Sequence, residues 1–189
     1  MFNRTQISNG SGGEYDEHVA AVETGGLAEI DMFHFLIHKG YFNCVCFYKA
    51  GQATTAISNI CFTVPETTST DKRAGIHGRL DIAVSGGVKV DIQEVENYTG
   101  GTEKIPYNMN SHYYNGMKSS FVTDATIVNG ATKRIMLAGG DAVGSGKNAI
   151  ALSGIPENIF KPGKWALVIT PLVNGTIFDI QFYVYERYL

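Results

Sequence analysis

Charged residues are scarce in this chain. Only 17% of its 189 residues are Asp, Glu, Lys or Arg, whereas an average soluble domain has roughly 25%. The formal net charge is −3, and no cluster of basic residues exceeds a pair such as Lys72-Arg73 or Lys133-Arg134. Because nucleic-acid-binding proteins need a basic patch or stripe, we expect no direct partner among nucleic acids.

Long apolar runs are missing as well. No stretch reaches the roughly 18 apolar residues that a membrane-spanning helix needs. The polar start of the chain, rich in Gly and Asn, does not have the pattern of a secretory signal peptide. We therefore expect no membrane partner, and we expect the protein to be made in a cytoplasm.

Cysteines are few and odd in number: Cys44, Cys46 and Cys61. This count agrees with reduced thiols rather than with a disulfide framework. Cys44 and Cys46 point to the same side of one predicted strand, but no second Cys/His pair follows at a spacing typical of metal ligands. The pattern favours small buried side chains and predicts neither a metal site nor a cofactor.

Catalytic patterns are incomplete. The Gly-rich residues 139–146 lack the spacing of a phosphate-binding loop, and Asn148 stands where Ser or Thr would hold magnesium. No Gly-x-Ser-x-Gly segment offers a nucleophile. Glu94 and Glu96 are the only nearby carboxylate pair that could serve a glycosidase, although a solvated strand edge is the more common setting for such a pair. We predict no catalytic residues and a protein that is not an enzyme, with a carbohydrate-active enzyme as the rival interpretation.

A β-strand pattern fills most of the remaining chain. In residues 177–186 the apolar side chains Phe178, Ile180, Phe182 and Val184 alternate with polar or aromatic ones, as in a half-buried strand. Similar runs predict strands at 33–48 with a break at Lys39-Gly40, and at 56–64, 78–84, 88–92, 121–128, 134–138, 149–152 and 159–169.

Turn signals separate these runs at short intervals. Asn174-Gly175 predicts a hairpin between the last two strands, Ser85-Gly86-Gly87 predicts a second tight hairpin, and Asn129-Gly130 predicts a further turn. Many short strands with frequent turns indicate an all-β protein with an antiparallel, jelly-roll-like β-sandwich. Residues 1–27, with little apolar sequence, predict a flexible, extended N-terminal arm, and residues 28–189 predict the sandwich domain.

Tyrosine and asparagine are concentrated where a partner surface is expected. Residues 107–116 combine Tyr and Asn, which give contact area and adaptable hydrogen bonds. The face of the last strand opposite its core side also carries two tyrosines, with the single tryptophan nearby. The candidate interface residues are Tyr107, Asn108, Asn110, Tyr113, Tyr114, Trp165, Tyr183 and Tyr185.

Several segments, taken in order, resemble a known family. They are Ile37-His38-Lys39-Gly40-Tyr41-Phe42; residues 91–96 with Gly100-Gly101-Thr102 and Asn108-Met109-Asn110; and residues 159–169 with the closing Val184-Tyr185-Glu186. Together they resemble the head decoration, or cement, proteins of tailed bacteriophages over about residues 30–187. The chain departs from the family pattern at Lys39, usually acidic, at Ser111, often Arg, and at Val184, usually Trp.

The resemblance implies a β-sandwich that binds the outer surface of the major capsid protein, commonly as a homotrimer, and stabilises the capsid. It implies a location on the outside of the virion after synthesis in the host cytoplasm. The alternative is a tail-fibre or receptor-binding β-sandwich module that recognises a glycan or protein of the host surface.

Overall fold

The computed structural model describes residues 3–5, 18–20, 37, 40–66, 73–110, 112, 117–139 and 158–188. They contain β1 (Asn3–Thr5), β2 (His18–Ala20), β3 (Asn43–Gln52), β4 (Ser58–Val64), β5 (Arg73–Val84), β6 (Val88–Thr99), β7 (Thr102–Lys104), β8 (Tyr107–Asn108), β9 (Ser120–Thr123), β10 (Thr126–Ala138), β11 (Asn158–Phe160), β12 (Gly163–Pro171) and β13 (Thr176–Tyr188). The predicted strand at 149–152 lies outside the described residues.

The strands form two antiparallel sheets that face each other. The large sheet has six strands in the order β10-β6-β12-β4-β9-β7, and the small sheet has five in the order β11-β5-β13-β3-β8. Within the predicted N-terminal arm, β1 and β2 pair with each other in a short ribbon, and the rest of residues 1–27 lies outside the described residues. The predicted all-β antiparallel sandwich is confirmed.

One core fills the space between the sheets. Phe178, Ile180, Phe182 and Val184 of β13 are each no more than 1% exposed, as their alternation predicts. The Phe62 ring of the large sheet lies 5.4 Å from that of Phe182 in the small sheet. Fully burying a side chain of this size stabilises a fold by about 1.5–3 kcal/mol, so these contacts hold the two sheets together.

The two predicted hairpins are wrong. β12 and β13 belong to different sheets, as do β5 and β6, so Asn174-Gly175 and Ser85-Gly86-Gly87 carry the chain from one sheet to the other. The turn at Gly175 is stabilised from β3, because its N–H donates to the Gln52 carbonyl at 2.8 Å. Turn residues and alternation are the same in a hairpin and in a connection between facing sheets, and only the pairing partner differs.

Two predicted boundaries also change. Asn129-Gly130 is not a turn, since β10 continues through it along β6; Asn129 has a positive φ of 48° and its side chain donates to Glu96 at 2.6 Å. The chain breaks instead at Asp124, where φ is 55°. The predicted strand 159–169 is interrupted at 161–162, and its halves lie in different sheets.

The outer side of the large sheet is partly covered by its own chain. β6 pairs with β10 along its whole length, but with β12 only as far as Glu94. Val95 and Ala125 pack there on Cys61, Ala166 and Val168 in a second apolar cluster, with Tyr98, Val122 and Ile127 packed against it.

Small residues of β4 and β12 belong to this second cluster. Cys61 lies between the core residues Ile60 and Phe62, so alternation turns it away from the main core. Cys61 and Ala166 are nevertheless 0% exposed, and the Tyr98 hydroxyl lies 2.8 Å from Thr63 Oγ1. Gly100 and Gly101 then lead into β7, which pairs with β9 at the edge of the sheet.

Candidate interaction surface

Three of the predicted interface residues share the outer face of the small sheet. Tyr183 and Tyr185 alternate with buried residues of β13, so they point away from the core, and Tyr107 of β8 pairs with Cys44 of β3. Tyr107 is 50% exposed, whereas Tyr183 and Tyr185 are half-buried. Tyr113 and Tyr114 lie outside the described residues.

Phe42 and His77, neither of them predicted, complete this layer. The Phe42 ring stacks on Tyr183 with centroids 5.6 Å apart and an interplanar angle of 8°, and it lies 6.3 Å from Tyr185. The His77 ring stacks on Tyr185 at 4.7 Å, with the Tyr185 hydroxyl 2.8 Å from His77 Nδ1. We call Phe42, His77, Tyr107, Tyr183 and Tyr185 the aromatic face.

Mutual packing of Phe42, His77, Tyr183 and Tyr185 fixes the shape of this part of the aromatic face. The Tyr183 hydroxyl donates to the Gln181 side chain, and burial raises the pKa of Tyr183 above its usual value. Ordered aromatic rings with polar ends are the kind of side chain that dominates protein interfaces.

Asn108 and Asn110 organise the chain beside the aromatic face. Asn108 Nδ2 donates to the Gly40 carbonyl at 2.5 Å, and Asn108 Oδ1 accepts from the backbone of Asn110 at 2.9 Å. Asn110 repeats the pattern by accepting from the His112 backbone at 3.1 Å. These are Asx turns, in which the asparagine side chains stabilise the local backbone of their own chain.

Trp165 lies in the core rather than on a surface. It is 7% exposed, its ring lies 5.2 Å from that of Phe160, and its indole N–H donates to the Lys161 carbonyl at 3.0 Å. A tryptophan whose only polar group is satisfied internally is a packing residue.

Glu186 ties the end of β13 to the chain that enters β9. It is 8% exposed, and its Oε1 accepts from the backbone N–H groups of Lys118 at 2.8 Å and Ser119 at 2.7 Å. The Ser119 hydroxyl donates to the same oxygen at 2.8 Å. Sequence reasoning gave Glu186 no role of its own, because its partners are 67 and 68 residues away.

Apolar side chains are also exposed on the opposite side of the sandwich. Ile135 and Leu137 of β10 are 59% and 64% exposed, while Met136 and Ala138 between and beside them belong to the core. The sequence signal for this surface is the run 135–138, in which every residue is apolar. An edge strand with such a run has apolar side chains on its core side and on its outer side.

Glu94 and Glu96 are held by different partners. Glu94 forms ion pairs with Lys161 at 2.8 Å and Lys133 at 3.1 Å, and hydrogen bonds from these lysines, Lys161 foremost, lower its pKa. A general acid of a glycosidase needs a raised pKa. The arrangement at Glu94 thus favours an ion pair over an acid catalyst.

Within the described ranges, no group of three or more His, Cys, Asp and Glu is placed to hold a metal ion. No helix in that part of the chain has the length and apolar character to cross a membrane.

Comparisons of the chain with protein-family models, curated proteins and solved structures give no match.

Proposed function

We propose that the protein is a virion structural protein of a tailed bacteriophage. It decorates the head by binding the outer surface of the major capsid protein as a homotrimer, and it stabilises the capsid. It is made in the host cytoplasm and is located on the outside of the mature particle.

The observation that carries this proposal is where the family-like segments lie. Gly40 accepts a hydrogen bond from Asn108, and the Phe42 carbonyl accepts one from the backbone of Met109 at 2.9 Å. Phe42 also contacts Tyr185. Parts of three segments that are far apart in sequence thus meet around β13, β3 and β8 of the small sheet, which supports reading them as one family pattern.

The distribution of exposed apolar groups also supports the proposal. A trimer that binds a lattice needs one surface for its own copies and another for the capsid. The small sheet exposes Tyr48 and Tyr107 at 62% and 50%, and the large sheet exposes Ile135 and Leu137 on the other side. We assign the small-sheet side to contacts between copies and the large-sheet side to the capsid. Three linked contacts give avidity even where each single contact is weak.

Binding to heads tests the proposal. Purified protein is added to heads assembled without it by the phage that encodes this chain, and the particles are imaged by electron cryo-microscopy. We expect extra density at regular capsid lattice positions and greater resistance of the heads to heating.

Leu137→Asp places a charge on the capsid-facing surface, and we expect it to lose head binding while it keeps the fold and the oligomer.

The matched control is Ile105→Asp, which introduces the same charge at a side chain that is 80% exposed in the short link between β7 and β8. We expect this variant to bind heads like the wild type. Density at the tail tip, or binding to host cells but not to heads, would instead support the receptor-binding module. Undiminished head binding by Leu137→Asp would reject the large-sheet side as the capsid contact.

A further inference from the structure

Part of the outer face of the large sheet carries exposed aliphatic side chains. The second apolar cluster covers this face as far as Val168, which is 8% exposed. Beyond Val168 lie four side chains that we call the aliphatic patch: Ile57, Ile135, Leu137 and Leu172, which are 66%, 59%, 64% and 48% exposed.

Strand register places two members of the patch beside one ion pair. Leu137 of β10 pairs with Lys89 of β6, and Ile135 pairs with Asp91. On its other side, Lys89 pairs with Thr170 of β12. Paired residues of neighbouring strands point to the same face of a sheet, so Lys89 lies among the aliphatic side chains.

The other two members lie at the ends of the neighbouring strands. Ile57 directly precedes Ser58, the first residue of β4, which pairs with Ile169 of β12. Leu172 directly follows β12, and its backbone N–H donates to the Gly87 carbonyl at 2.8 Å. The patch therefore extends across β10, β6, β12 and the start of β4.

The charges within the patch balance each other. Lys89 Nζ lies 2.9 Å from Asp91 Oδ2, and the two side chains are 37% and 9% exposed. Asp91 Oδ1 is enclosed by the protein and has no hydrogen-bond partner among the described residues. A partner that approaches this face thus meets aliphatic groups and one ammonium group whose charge is already compensated.

We infer that the aliphatic patch docks on an uncharged, aliphatic surface of the major capsid protein. This inference rests on the proposed capsid function. Docking removes the Lys89–Asp91 pair from water, and a further charge on the partner would then be buried without a counter-charge, which is costly. The partner group that meets Lys89 is therefore an uncharged oxygen acceptor such as a backbone carbonyl.

Two variants of the ion pair test the chemistry of the partner, with head affinity measured by co-sedimentation of the full-length protein with heads. Lys89→Met leaves the Asp91 carboxylate uncompensated under the docked capsid protein. We expect it to weaken head binding about 30-fold or more, as losing one member of a buried charge pair at an interface does. Lys89→Met/Asp91→Leu replaces the pair by apolar groups, which is often neutral or favourable, and should bind like the wild type or more tightly.

Lys49→Met is the matched control. It makes the same substitution in another ion pair, in which Lys49 Nζ lies 2.6 Å from Asp124 Oδ2, on β3 of the small sheet. We expect this variant to bind heads like the wild type.

A second pair of variants tests the patch without changing the ion pair. Leu172→Asp should lose head binding, whereas Leu172→Met keeps an apolar side chain of similar volume and should bind like the wild type. This pair decides the inference even if the double variant does not fold.

The inference is overturned if Lys89→Met binds heads like the wild type, if the folded double variant binds as weakly as Lys89→Met, or if Leu172→Asp binds undiminished. In each of these cases the wild type still binds heads, so the proposed function stands. A wild type that does not bind heads rejects the proposed function and this inference with it.

Discussion

Glu186 concentrates three hydrogen bonds on one buried carboxylate oxygen. Hydrogen bonds to a charged group contribute about 1.5–3 kcal/mol, and neutral ones about 0.5–1.5 kcal/mol. Glu186→Gln keeps the acceptor oxygen and removes the charge. We expect it to lower the free energy of unfolding by about 1–3 kcal/mol, measured by urea denaturation.

Glu96→Gln is the matched control for this substitution. Glu96 is exposed and accepts one hydrogen bond, from Asn129. A surface change of this kind alters stability by about 0.5 kcal/mol or less. Equal losses in the two variants would show that the three bonds to Glu186 do not stabilise the fold.

Buried thiols make stability depend on pH at the alkaline end. Burial raises the pKa of Cys61 from 9.0 to about 12, so the folded protein keeps a proton that the unfolded chain loses above about pH 9. The contribution of this thiol to the free energy of unfolding is therefore fully present below that pH and is lost as the pH rises towards 12. The expected slope is about 1.4 kcal/mol per pH unit for each such thiol.

Comparing the wild type with Cys61→Ser isolates this effect from the titration of lysines and tyrosines. Urea denaturation at several pH values between 8 and 11 should give a shallower loss of stability in the variant, because serine does not titrate there. Parallel curves for the two proteins above pH 9 would contradict the assignment.

At the scale of elements, the β6–β7 turn depends on close approach of the backbone. A Cβ added at Gly101 would lie 2.6 Å from the Thr123 carbonyl oxygen and 2.6 Å from a Val122 methyl group, and φ is +84°. Gly101→Ala therefore combines the left-handed penalty of about 1–2 kcal/mol with an overpacking cost of about 1–3 kcal/mol.

The neighbouring glycine separates these two costs. Gly100 has a φ of +66° but nothing within 4 Å of an added Cβ, so Gly100→Ala should cost only the left-handed penalty of about 1–2 kcal/mol. Thermal unfolding of both variants gives the comparison. If Gly100→Ala proved as damaging as Gly101→Ala, the close packing of this turn against β9 would be refuted.

The same elements show what sequence could and could not predict. Alternation correctly placed the core side of β13, because burial follows directly from side-chain period. It could not assign Asn174-Gly175 to a connection between sheets, since that depends on the pairing of Gly175 with Gln52 far away in sequence. For the site, Tyr183 and Tyr185 were predicted on the outer face, but the stacking of Phe42 and His77 on them was not. Trp165 was placed on a surface because residues 165–169 are apolar on both strand faces, and alternation alone does not show that Trp165 shares the core side with Leu167 and Ile169.

At the scale of the whole molecule, the outer face of the small sheet is where we expect copies of the chain to meet. Tyr48 lies on this face and is 62% exposed, whereas Tyr183 packs on Phe42. Tyr183→Asp would therefore disturb intramolecular packing as well as self-association, and Tyr48→Asp is the cleaner probe. Aromatic side chains are enriched at protein interfaces relative to the rest of the surface, which favours burial of this face by another copy.

We expect the wild type to sediment as a trimer at micromolar concentration. Tyr48→Asp should weaken the trimer by about 2 kcal/mol or more, the usual cost of losing an interface hot spot, which is roughly a 30-fold loss of affinity. Leu137→Asp carries the same charge on the opposite side of the sandwich and should sediment like the wild type. Analytical ultracentrifugation of the three proteins gives the comparison. A monomeric wild type, or a trimer that is equally stable in Tyr48→Asp, would show that copies do not meet through the small sheet. Dissociation of the Leu137→Asp trimer alone would show that they meet through the large sheet.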